Sequence, residues 1–338
     1  MLRNSGALAI VLAGAICAFG QTPAPSAAAV GVLGFNHIVN NVERSVEFYR
    51  DVIGLDMPKP PQPFAAIPWM TERGSTPGAQ SRSAFLYIPG SALWVVLTDY
   101  RDIDRKAAHP RFQDPGAASL ILWVRDMDAM MAKLKAAHAH INSLGGEPGV
   151  IPGPNGTHTR VVFVQDPDGF FLEIAERTPA PATTAPYSSN VIGGGLEVIV
   201  ADLDQTLHIY RDILGFHTSK PTEWDGTKLM MDTAGTPGGQ FRRSAATIPG
   251  ATGTPLTMAF MEFKAISRKA LHTRVQDPGT AILQLFVSNF DATISELNAV
   301  GLAVILKSGE PGQIKVCVMR DPNNLYLELV QPIDLGRL

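Results

Sequence analysis

Two halves of this chain repeat each other, and that repetition limits what it can fold into more than any other feature of the sequence. Tyr49-Arg50-Asp51 with Gly54 returns as Tyr210-Arg211-Asp212 with Gly215. Thr76-Pro77-Gly78 returns as Thr236-Pro237-Gly238, and Ile88-Pro89-Gly90 as Ile248-Pro249-Gly250. Arg105-Lys106, His109, Arg111 and Gln113-Asp114-Pro115-Gly116 return as Arg268-Lys269, His272, Arg274 and Gln276-Asp277-Pro278-Gly279. Asp166-Pro167 and Glu173 return as Asp321-Pro322 and Glu328. The order is kept and the offsets drift by only a few residues, which marks a duplicated unit. A chain of 338 residues has room for two such units of ordinary size. The Pro-, Ala-, Thr- and Ser-rich stretch 178–189 suits an exposed linker, which puts the first domain at 30–177 and the second at 190–332.

Ahead of the first copy, Arg3, the uncharged apolar run Ala7 to Phe19 and the small residues Ala18 and Gly20 read as a signal peptide over residues 1–20. Residues 21–29 then form a flexible leader. The apolar run is short for a bilayer span, so the expectation is an exported protein, periplasmic or secreted, with no membrane attachment after cleavage. Cys17 leaves with the signal, and Cys317 alone forms no internal disulfide. A formal net charge of -3, without basic runs interleaved with aromatics, excludes general nucleic-acid binding. The sequence holds no nucleophile elbow, P-loop, dinucleotide fingerprint or Cys-based metal motif.

Each copy predicts the same succession. Phe35 to Val39 reads as a strand, Asn41 as an N-cap, and Val42, Val46, Tyr49 and Ile53 as one helix face ended by Gly54. Leu196 to Val200, Asp202, Leu203, Leu207, Tyr210, Leu214 and Gly215 match it. Short β-rich runs follow (Ser83 to Ile88, Leu93 to Thr98, Ser119 to Val124), then a helix capped by Asp126 with Met127, Met130, Met131, Leu134 and Ile141 on one face. Two closing strands, Arg160 to Val164 and Phe170 to Ala175, flank Asp166-Pro167-Asp168-Gly169. Strand–helix–strands, done twice per copy, is an α+β pattern.

At these residues the chain resembles the vicinal oxygen chelate superfamily, which groups glyoxalases, bleomycin-resistance proteins and extradiol dioxygenases. The opening helix from Val42 to Leu55, its repeat from Asp202 to Phe216, and the closing hairpins Asp166 to Ile174 and Asp321 to Leu329 carry the resemblance. It implies tandem domains built of paired βαβββ modules, with mixed, mostly antiparallel sheets curved into cups. It also implies a divalent metal, Fe, Mn, Ni or Zn, held in a cup by His, Gln and Glu, with open positions for a small oxygenated substrate. The partners expected are a small molecule, the other domain of the same chain and, left open, a second copy of the chain.

Of the ligands that the resemblance implies, the last-strand Glu is present in both copies as Glu173 and Glu328. Ungapped matching puts Gly34 and Gly195 at the opening-strand positions, with Val96, Ser119, Ala259 and Ile282 at the middle ones. His37 lies three residues late, and Glu197 is also out of register. His37 with Glu173 forms the candidate metal pair of copy one, against the alternative of a strand histidine bonded within the scaffold. Glu328 is the third candidate ligand. The repeated loop offers His109, with Glu173, for proton transfer. Arg105, Arg268, His272 and His158 are candidates for holding a substrate, against the alternative that the loop pins one module to another. Two functions stay open: a metal-dependent lyase or ring-cleaving dioxygenase, and a metal-free protein that sequesters a small molecule.

Overall fold

The computed structural model describes residues 29–68, 71, 74–248, 257–308 and 314–332. The expected signal peptide with Cys17, and Trp69, lie outside the described residues. Four modules follow one another. The first holds β1 (Ala29–Val39), α1 (Val42–Val46, continued by a π-helical turn Glu47–Ile53), β2 (Gln80–Tyr87) and β3 (Trp94–Arg101). The second holds β4 (Ala118–Val124), α2 (Met127–Ala136), β5 (His140–Ile141), β6 (Gly149–Pro152), β7 (His158–Gln165) and β8 (Phe171–Thr178). The third holds β9 (Val191–Val200), α3 (Leu203–Leu207, continued by His208–Ile213), β10 (His217–Thr218), α4 (Lys228–Ala234), β11 (Gln240–Thr247) and β12 (Thr257–Lys264). The fourth holds β13 (Ala281–Val287), α5 (Phe290–Ala299), β14 (Val304–Ser308), β15 (Ile314–Arg320) and β16 (Tyr326–Pro332).

The helix starts are where the sequence puts them. The side chains of Asn41, Asp126 and Asp202 each accept the N–H three residues on, which satisfies a first-turn donor. Gly54 ends the first helix at φ +96°, a left-handed conformation that costs glycine nothing. The second helix stops at Ala136, so Ile141 belongs to β5 and not to the helix face. Helix α4 has no periodic signal strong enough to announce it.

The modules pair across the copies. One sheet runs β14-β15-β16-β13-β1-β3-β2, joining module four to module one. The other runs β10-β11-β12-β9-β4-β8-β7-β5, with β6 on β7, joining module three to module two. The two junctions are antiparallel, β1 with β13 and β4 with β9, while β1 with β3 and β4 with β8 are parallel. Each cup is therefore shared by the two copies, and neither copy completes a cup alone.

The repeated loop closes this exchange. Asp277 accepts the N–H of Lys106 at 2.8 Å, and Asp114 accepts the N–H of Lys269 at 2.8 Å. Arg111 and Arg274 grip the same two carboxylates from their own copies. Burial works to raise the Asp114 carboxyl, but the Arg111 guanidinium and these N–H donors prevail and hold it below the usual range; Asp277 behaves alike. The loop thus pins module to module, and Arg105 is spent on Asp99 at 3.0 Å and on the Val39 carbonyl.

Side chains alternate across the strands. Phe35, Leu120, Leu172, Leu196, Leu283 and Leu327 face the helices and join one continuous core with Tyr49 and Tyr210. The intervening residues face the cups and form two smaller clusters, one around Phe112, Phe163, Phe171 and Phe263, the other around Ile38, Tyr100, Ile282 and Tyr326.

Residues 29–178 expressed alone would bare the inner edges of β1 and β4, an arrangement that recruits another strand. We expect this half to form a homodimer that rebuilds the cross-copy pairing, measured by light scattering on size exclusion. A stable folded monomer would contradict the pairing described.

Candidate functional site

Strand parity decides where each candidate residue points. Gly34, Asn36 and Ile38 face the first cup, so His37, an odd number of residues from Gly34, faces the helices. His37 is fully buried there, its Nε2 2.8 Å from Asp166 Oδ2. Glu173 lies in the other sheet and faces the second cup. The pairing of His37 with Glu173 expected from the sequence is therefore corrected: a one-residue change of register turns a side chain to the opposite face, and the two residues stand in different sheets.

The ligand atoms of His37, Asp166 and Asp168 lie within 4.8 Å of one another, as a metal cluster would require. Their carboxylate oxygens are already engaged, while the buried His37 Nδ1 makes no hydrogen bond among the described residues. Asp166 Oδ1 accepts the N–H groups of Asp168 and Phe170, and Oδ2 accepts the Tyr49 hydroxyl at 3.0 Å. Asp168 accepts from Arg44, the Asn40 N–H and Ser45. Copy two builds the same clamp from Tyr210, Asp321 and Asn323, with Val198 in place of the histidine and a carboxamide in place of Asp168. A clamp that works without His and with one carboxylate fewer is scaffold: it ties the closing hairpin to the opening helix of the same copy.

The first cup, between β1, β2, β3, β13 and β16, contains a cavity of about 400 Å³, the size of a small-ligand pocket. Its apolar wall includes Trp94, Val96, Ile282 and Val318, and Phe85 stands at 45% exposure. Polar groups come from neighbouring strands. Gln284 and Glu328 are register partners, and Gln284 Nε2 donates to Glu328 Oε1 at 3.1 Å. Asn36 is register partner to both Ile282 and Val96, and its buried Oδ1 makes no hydrogen bond among the described residues. Ser83 and Thr98 share a hydrogen bond at the β2–β3 pair. Sequence matching pointed to Ile282 and passed over Gln284, two residues further along the same face; only the pairing with Glu328 singles it out.

The second cup is filled. Helix α4 lies over it, and Phe163, Phe241, Met230 and Met261 leave a void of about 20 Å³. Glu173, Glu197 and Arg243 are buried in it, with Arg243 Nε 3.0 Å from Glu197 Oε1 and Nη2 3.6 Å from Glu173 Oε2. Burial raises both carboxyls against the pull of Arg243; the charge of Glu173 raises Glu197 further, and Glu197 is pushed up to about 8. One guanidinium balances one carboxylate, and the other keeps its proton at neutral pH. Gly195, at the opening-strand position, sits where an added Cβ would stand 2.0 Å from the Thr257 carbonyl oxygen. No ligating side chain fits there.

Neither cup offers the expected donor set. In the first, Gly34 and Val96 carry no ligand atom, and the polar lining includes one carboxylate, Glu328, with the carboxamides of Asn36, Gln62 and Gln284, the hydroxyls of Ser81 and Ser83, the Arg82 guanidinium and no imidazole. In the second, a guanidinium stands between the carboxylates. A transition-metal chelate of His and Glu does not fit these residues. None of Arg105, His109, His158, Arg268 and His272 lines the first cavity. His109 and His272 are exposed on the cross-copy loops, Arg268 binds the Val200 and Ala201 carbonyls, and His158 opens β7. Glu173 is brought to Arg243 and not to His109.

The family model described as the Glyoxalase/Bleomycin resistance protein/Dioxygenase superfamily matches residues 34–174 and 194–329, and the chain belongs to that superfamily. It is similar to a 2-epi-5-epi-valiolone epimerase of Actinomyces sp., 30% identical over 148 residues, covering 43% of this chain and 79% of that protein. It is also similar to a lactoylglutathione lyase of Arabidopsis thaliana, 23% identical over 199 residues, 56% of this chain and 57% of the plant enzyme. The chain thus spans little more than half of that enzyme. Among solved structures, glyoxalase I of Zea mays aligns with a TM-score of 0.53 at 17% identity, over 90% of this chain and 92% of that one. A dioxygenase-like protein of Bacillus subtilis aligns with a TM-score of 0.53 at 14% identity, over 91% and 86%. At these identities the structural likeness shows the fold alone.

The raised Glu197 carboxyl makes stability depend on pH. Its folded value lies above that of an unfolded glutamate, about 4.3, so the native state holds a proton that the unfolded chain releases. That contribution is full below the unfolded value and is lost as pH rises through about 8. We expect the unfolding free energy of wild type to fall relative to Glu197→Gln across this window, by on the order of a few kcal/mol. Parallel curves in urea titrations from pH 5 to 9 would contradict the assignment.

Proposed function

We propose that the chain binds a small hydroxylated molecule in the first cup, held by Glu328, Gln284 and Asn36 against the apolar wall, without a transition-metal chelate. The observation that carries this reading is the contrast between the cups: one keeps a cavity of about 400 Å³ with polar groups converging from adjacent strands, and the other is packed shut. The buried Asn36 oxygen calls for a donor such as a hydroxyl, because a buried acceptor left unsatisfied costs about 1–3 kcal/mol. Glu328 accepts hydrogen bonds from the same ligand, and Trp94 offers it a flat face.

A catalytic version of this reading is favoured by the similarity to an epimerase over 79% of that protein's length. Glu328 would then act as the base that moves a proton at a substrate carbon, with Gln284 orienting it. The metal-dependent lyase or dioxygenase expected at first requires imidazole or further carboxylate donors that the described residues of this cup do not supply. Export to the periplasm or outside remains part of the proposal, supported by Arg3 and the apolar run after it; Edman sequencing of secreted material starting at Gln21 tests it.

Isothermal titration with 2-epi-5-epi-valiolone and S-lactoylglutathione, before and after chelator, tests the site. Binding is expected to survive chelator and to weaken about tenfold or more in Glu328→Gln, the scale of a charge-assisted hydrogen bond. It should be unchanged in Glu173→Gln. Binding that depends on Glu173 and ignores Glu328, or a stoichiometric metal lost on Glu328→Gln, would defeat the proposal.

A further inference from the structure

The second cup buries three ionisable side chains that the ligand site above does not use. Glu173, Glu197 and Arg243 retain 3%, 0% and 11% of their side-chain exposure. Stripping water from an ion is costly, and such a group is tolerated in the interior only where charges compensate. The internal repeat shows what each position carries elsewhere. Where the second cup has Arg243 and Glu197, the first has Ser83 and Asn36. The acid and the base therefore occur together in one cup and are both replaced by neutral polar residues in the other. Glu173, by contrast, has its twin in Glu328, and both occupy the last-strand position from which the superfamily resemblance implies a metal ligand.

A guanidinium and a divalent cation meet the same need here, a positive charge between inward-facing carboxylates. The void of about 20 Å³ beside Glu173 and Arg243, closed by Met230 and Thr233 of α4, has room for one water and not for an ion with its shell. Ser119, the middle-ligand position of this cup, is the register partner of Glu197, and its buried hydroxyl makes no hydrogen bond among the described residues. We infer that Arg243 is a resident cation that stands in for the metal ion in the second cup, and that removing its guanidinium uncovers a divalent-cation site formed by Glu173, Glu197 and Ser119. Two carboxylates and a hydroxyl are hard oxygen donors, which suits Mn²⁺. The inference is independent of the ligand proposed for the first cup.

The test is Mn²⁺ titration of the full, tag-free chain by calorimetry and electron paramagnetic resonance. Wild type, Glu173→Gln, Arg243→Ser and the double variant Arg243→Ser/Glu173→Gln are compared. Arg243→Ser places in the second cup the residue that the first already carries. The expected result is one more equivalent of Mn²⁺ bound by Arg243→Ser than by wild type, abolished in the double variant, with wild-type uptake indifferent to Glu173→Gln. Should Arg243→Ser not fold in buffer, Mn²⁺ must restore its folding cooperatively, since the ion would then supply the missing charge. No gain of Mn²⁺ by the folded variant, no rescue of an unfolded one, or a wild-type ion lost on Glu173→Gln would each overturn the inference.

Discussion

The antiparallel pairing of β1 with β13 and of β4 with β9 is the constraint on which the rest of the molecule depends. Each pairing joins a strand of one copy to a strand of the other, so both sheets are built half from each repeat. Backbone groups at these inner edges would otherwise face water or another chain. The Asp114 and Asp277 loops add reciprocal bonds across the same boundary, and the clamps around Asp166 and Asp321 hold each closing hairpin to its own copy's opening helix. Strand pairing makes the cups, and the clamps set the spacing of the modules that line them.

With two cups available, the duplicated chain has let them diverge. The first retains Glu328 with Gln284 and Asn36 around an open cavity. The second holds Arg243 opposite Glu197 and Glu173, has glycine at a position that admits no side chain, and is roofed by α4. The divergence concerns the concave faces. The helix-facing residues of all four modules still join one core, which accounts for the overall fold being kept while the chemistry changed.

The sequence was most legible where local rules act. The caps at Asn41, Asp126 and Asp202, the stop at Gly54 and the hairpin at Asp166 to Gly169 are set by side chains within a few residues of one another. It misled at His37, because a histidine near an expected ligand position looks like a ligand until strand parity is applied. Gln284 and Arg243 gave no warning. A glutamine or arginine in a β-rich run has no meaning until the partner strand is known, and here that partner determines whether it meets Glu328 or the pair Glu173 and Glu197.

The sequence by itself determined the duplication, the module order, the α+β class and the superfamily, because repeats, periodicity and turn chemistry are written in neighbouring residues. Only the tertiary structure decided that the cups are shared between copies, that one is open and the other closed, and which side chains face one another inside them. Those outcomes depend on cross-strand register between segments of different copies that lie far apart in the chain, and a shift of one residue there moves every side chain to the other face of its sheet.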